Sequence, residues 1–188
     1  MHAAQSGLQP LLNHIPPEDR QDFGFSNDDD MATAVLGSPF NLFTITPEDL
    51  AGYRKGTPVS SILRKTDLWY FPVVVNKSAR TILIVDKVGG KWRAVSLGNT
   101  HLVKTLQQVS QRWPEAGGFT PRLIAVFQAR QYLVTVPEVD ERSLMPVPDG
   151  LPGGGNLKVD GAESLIMEDA YEVMQRLLPI VTENIGNQ

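Results

Sequence analysis

The sequence contains no cysteine. Disulfides, thiolate metal sites and cysteine nucleophiles are excluded by composition. Histidine is almost as scarce: only His2, His14 and His101 occur, and no two of them stand at i, i+4. That leaves no zinc motif on a helix and little material for a Ser-His-Asp triad. G-x-S-x-G and S-x-x-K are missing, and "VGGKW" lacks the upstream glycine and the following hydroxyl of a phosphate-binding loop. Basic residues are in deficit, 17 Lys and Arg against 21 Asp and Glu, for a formal net charge of -4. Nucleic acid and anionic membrane surfaces both reward clustered cations, so neither is an expected partner. No stretch approaches the roughly 20 apolar residues of a membrane span, so no transmembrane span is expected.

What is present is enough for a folded core. A chain of 188 residues buries roughly 70% of its unfolded surface without staples. Sixteen glycines and fourteen prolines point to long connections. Residues 1–25, with "HIPPEDR" and little periodicity, read as an irregular N-terminal arm. Residues 26–136 read as an α+β domain, 137–156 as a Pro/Gly-rich linker or long loop, and 157–188 as a C-terminal helix packing on the domain.

Within the domain, "FSNDDDMATAVLG" predicts a short helix capped at Ser26 or Asn27, with acids in its first turn. "PFNLFTI" predicts a strand, and "TPEDLAGY" a helix start with Thr46 as cap and Pro47 in the first turn. The block "LWYFPVVVNKSARTILIVDKVGGKWRAVSLG" predicts three strands: Leu68 to Val75, Arg80 to Asp86 and Lys91 to Leu97. With Gly89-Gly90 as a two-residue turn, Asp86 faces Arg93. With residues 76–79 as the first loop, Phe71 faces Ile84. This register puts Trp69, Phe71, Val73 and Ile84 on an aliphatic face, and Tyr70, Leu83, Val85 and Trp92 on a mixed one. Pro72 requires an edge strand or a non-bonded position. "NTHLVKTLQQVSQRW" predicts a helix with Leu102, Leu106, Val109 and Trp113 on its buried stripe. Two more strands, Arg122 to Gln128 and Gln131 to Val136, turn around Ala129-Arg130. The last helix is expected from about Ala162 to Leu178, with Ile166, Ala170, Val173 and Leu177 inward and Pro179 ending it.

Tight turns between strands imply a mostly antiparallel sheet of about five strands with helices packed on one face, an α+β fold. No residue is assigned a catalytic or metal-binding role, and no cofactor is expected. Three of the four carboxylate pairs fall near helix ends or in the linker, and solvation explains all four. Tyr70, Trp92, Trp69, Asp86 and Arg93 form the candidate ligand- or partner-binding set. Tyr70 and Trp92 are aromatics with polar handles, and Asp86 and Arg93 are a cross-strand pair at the rim beside Trp69. The alternative for the mixed face is a second core layer under the arm or the final helix.

"LGSPF", "LWYFPVVV", "TILIVDKVGGKWRAVSLG" and "LVKTLQQVSQRWP" together resemble a poorly characterised class of bacterial extracytoplasmic modules. The resemblance runs from about Leu36 to Val136 and implies a small fold of the cystatin-like or PepSY-like kind, used for binding or inhibition. "MHAAQSG" likewise is similar to the small-residue tail of a signal-peptidase site. The expected function is therefore a non-enzymatic binding or inhibitory module acting outside the cytoplasm on a protein, peptide or envelope component. A hydrolase with a loop-assembled site and a structural or accessory subunit are the alternatives, and the cytoplasm is the alternative location.

Overall fold

The computed structural model describes residues 1–148 and 165–186. The helices are α1 (His2–Leu12), α2 (Asp28–Ala32), α3 (Pro47–Gly52), α4 (Thr100–Arg112) and α5 (Ala170–Gly186). The strands are β1 (Val35–Leu36), β2 (Phe40–Thr44), β3 (Arg64–Val75), β4 (Ser78–Val88), β5 (Lys91–Gly98), β6 (Arg122–Val126), β7 (Gln131–Thr135), β8 (Ser143–Pro146) and β9 (Glu168–Asp169). The chain is α+β, with mostly antiparallel strand pairs, while β2 and β6 pair in parallel. The described residues form nine strands, where about five were expected. β1, β8 and β9 escape the sequence pattern because two to four residues carry no period.

The residues divide into two compact units, Met1–Asn41 with Asp67–Gln111, and Leu42–Thr66 with Arg112–Gln188.

In the first unit the strand order is β5-β4-β3, with β1 on the far side of β3. The N-terminal stretch is not an irregular arm. His2–Leu12 is helical, and α1 packs across β4 and β5 through buried Ala4, Leu8 and Leu12. With Ile15, Phe25 and Met31 these residues form one core over Phe71, Val73, Val75, Leu83 and Val85. Gly7 lets α1 sit this close: a Cβ there would lie 2.3 Å from the Cβ of Ala94 on β5.

The first hairpin differs from the expected register. Its loop is two residues, Asn76-Lys77, both with positive φ (50° and 65°), as a type I′ turn requires. Val75 pairs with Ser78 and Val74 with Ala79, but Val73 pairs with Thr81. Arg80 is the extra residue of a β-bulge. Beyond the bulge Phe71 faces Leu83 and Tyr70 faces Ile84. The one-residue slip exchanges the faces of β4 relative to β3. The Gly89-Gly90 turn follows expectation, with Asp86 opposite Arg93, until a second bulge at Val95. Pro72 accepts a bond from Gly37 N–H at 2.7 Å on the β1 side. Its missing N–H faces that same side, where two-residue β1 has ended, so the ladder to β4 loses nothing. In α4 the predicted stripe is buried at Leu102, Leu106 and Val109, together with Val103.

In the second unit β2 runs parallel to β6, with Thr44 Oγ1 donating to Ala125 O at 2.8 Å. β6, β7 and β8 are antiparallel neighbours, and β9 pairs with β8. Ser143–Pro146 is a strand with Leu144 and Met145 buried, so this part of 137–156 is not linker; residues 149–156 lie outside the described residues. The last helix described, α5, begins at Ala170; the expected start near Ala162 also lies outside the described residues. Its apolar stripe is Ala170, Val173, Met174, Leu177 and Val181, while Ile166 precedes it and is exposed. Pro179 sits within α5 and does not end it. Thr46 Oγ1 caps α3 by accepting from Asp49 N–H at 3.1 Å, as its sequence predicts.

Candidate functional site

The register decides which aromatics meet. Trp69 pairs with Val85 on β4, and Val85 with Ala94 on β5. Two residues before Ala94 on β5, Trp92 joins the same face as Trp69, Phe71 and Val85. These four side chains line an apolar groove of about 610 Å³, completed by Pro39 and by Met1, His2 and Ala3 at the start of α1. The expected pairing of Tyr70 with Trp92 is therefore corrected. Tyr70 points to the other face and is 5% exposed, whereas Trp92 is 44% exposed. Trp69 is half-buried against the core of the first unit. The sequence expected Trp69 and Trp92 on opposite faces; the bulge at Arg80 brings them together.

Asp86 and Arg93 are opposite each other as expected, yet they do not form an ion pair. The Asp86 carboxylate accepts from Lys87 N–H at 2.6 Å instead. The Lys87 ammonium lies 6.0 Å from the centre of the Trp92 ring, a cation–π distance. Exposed Lys87, opposite Trp92, shares its face, while Lys91 and Arg93, exposed on either side of Trp92 in β5, turn to the opposite face. Trp92 belongs to β5, the outermost strand of its hairpin pair, which has no neighbour on its other side among the described residues. Val88 and Val95 on this hairpin are also exposed, at 45% and 42%. A free edge with exposed apolar side chains is a site for strand addition.

The sequence missed Met1, His2 and Ala3 as groove residues because it placed no helix before residue 26. The period in Ala4, Leu8 and Leu12 was the available signal. Among the described residues no three His, Asp or Glu side chains are grouped to hold a metal ion. No described helix is long and apolar enough to cross a membrane. No protein-family model, no curated protein and no solved structure matches the chain.

Proposed function

We propose that this chain is a non-enzymatic binding module that takes an extended segment of a partner protein or peptide along β5. The observation that carries this reading is the apolar groove beginning at half-exposed Trp92, on a strand with a free edge. A strand added to β5 turns every second side chain toward the face that holds Trp92, Val85 and Trp69. Main-chain bonds then supply affinity, and the groove selects an apolar side chain. The intervening side chains of the added strand turn to the opposite face, where Lys91 and Arg93 select acidic residues. Action outside the cytoplasm, and an architecture of the cystatin-like or PepSY-like kind, belong to this reading through the sequence resemblance and not through the groove.

The test is a titration of isotope-labelled protein with eight-residue peptides alternating Leu and Glu, and alternating Leu and Lys. Amide shifts confined to β5, for the acidic peptide alone, are the expected result. Trp92→Ala should weaken binding about tenfold or more, as truncation of a central aromatic does, while leaving the melting temperature within a few degrees. Shifts scattered over the surface, or equal binding by the Trp92→Ala variant, would overturn the proposal.

A further inference from the structure

We propose that a second cavity, between the β3–β4 turn and α4, binds a small polyanion: a phosphate or pyrophosphate group carried on a soluble molecule. This site shares no residue with the apolar groove and does not depend on the peptide reading. The cavity is about 510 Å³ and is lined by Lys77, Arg80 and Lys104, with Gln107, Gln108 and Gln111 along one wall. No lining residue is acidic. Three cations thus converge in a chain whose net charge is -4. Here none of the three side chains makes a hydrogen bond or ion pair with a described residue, and Arg80 Nε is buried without a partner. A buried guanidinium N–H left unpaired costs free energy unless a ligand or water accepts from it.

The backbone is shaped to aim these groups. Arg80 is the extra residue of the β4 bulge, a device that redirects a side chain out of the ladder. Lys77 occupies the second position of the turn at φ 65°, where glycine is the low-strain choice, and so brings a cation to a place that costs backbone energy. Gln107 fixes the turn to α4: its Oε1 accepts from Ala79 N–H at 3.0 Å and its Nε2 donates to Lys77 O at 2.7 Å. Gly24 closes the opposite wall at φ 81°, where a Cβ would lie 2.9 Å from Arg80 O. Thr100, the first residue of α4, also lines the cavity, and the positive end of the helix dipole adds to the same sign. The occupant follows from this chemistry. Guanidinium and ammonium groups with amide donors suit phosphate oxygens. The three cations lie in one cavity and not along a stripe, which fits a compact anion and not a nucleic-acid strand.

Calorimetric titration of the full chain with sodium pyrophosphate at low salt tests this, with inorganic phosphate as the second probe. One saturable site is expected, tighter for pyrophosphate, with amide shifts at Ala79, Arg80 and Thr100. Arg80→Gln should weaken it about tenfold or more, the loss of one charge-assisted hydrogen bond. Lys104→Gln, at an exposed position, should weaken it several-fold, and Trp92→Ala should not change it. If Arg80→Gln does not fold, the Lys104→Gln comparison decides. Absence of saturable binding at millimolar pyrophosphate, or equal binding by wild type and Lys104→Gln, would overturn the proposal.

Discussion

Replacing Gly7 by alanine is the most informative single perturbation of the first unit, because two effects of opposite sign meet there. Gly7 lies in α1, where alanine is favoured over glycine by about 1 kcal/mol in an unobstructed helix. Against this, the new Cβ would lie 2.3 Å from the Cβ of Ala94, far inside any real contact. The obstacle is the first side-chain atom of a strand residue, so relief requires α1 or β5 to move. Such overpacking costs about 1–3 kcal/mol, and a contact this short belongs in the upper half of that range. The expected net effect is a loss of about 1–2 kcal/mol. The swap Gly7→Ala with Ala94→Gly removes the contact and keeps the helix gain. It gives back about 0.5–1 kcal/mol for a glycine in a strand. The double variant should therefore match wild type within about 0.5 kcal/mol, with a coupling of about 2 kcal/mol between the sites. Urea denaturation followed by circular dichroism and tryptophan emission measures all four proteins. Stabilisation by Gly7→Ala alone, as in a free helix, would show that α1 is not seated on β5. The groove that α1 helps to wall would then be lost too.

Leu106 is fully buried in α4, so Leu106→Ala should cost about 2–5 kcal/mol in the same assay, and a loss under about 1 kcal/mol would put that stripe at the surface. The Arg142–Ser143 bond, which the sequence offers to trypsin as loop, should survive early digestion. Arg142 N–H donates to Asp140 Oδ1 at 3.1 Å and Arg142 O accepts from Ala170 N–H at 2.8 Å; a first cut there would show those bonds to open readily. The Ser143 hydroxyl, followed by the Arg142 N–H, holds the Asp140 carboxyl below its ordinary value of 3.8. A lowered carboxyl contributes stability above that value and loses it as pH falls through the folded-state pKa. Ser143→Ala should raise the Asp140 midpoint in an NMR titration and destabilise the protein near neutral pH, with the gap to wild type closing in acid; an unmoved midpoint would refute the assignment.

Sequence alone determined the elements whose signals are local. A cap at Ser26 or Asn27, which falls on Asn27, the Thr46 cap, the Gly89-Gly90 turn with Asp86 opposite Arg93, and the α4 stripe each depend on residues a few positions apart. It also determined the absence of thiol chemistry, since composition needs no fold. Tertiary structure decided the rest. Asn76-Lys77 was legible as a turn, but its length was not: a two-residue loop with a bulge at Arg80 and a four-residue loop leave similar patterns of apolar residues in β3 and β4. Their side-chain period is 2, so that single residue moved Trp92 away from Tyr70 and beside Trp69. Ala4 is buried where α1 meets the sheet, a demand for small size that only the packed structure reveals. Lys77, Arg80 and Lys104 are ordinary surface residues in the sequence. They share a cavity only because the bulge, the turn and Gln107 bring a strand and a helix, some 25 residues apart in the chain, to the same place. Contacts between residues that distant are set by the whole packing of the unit, and no local pattern records them.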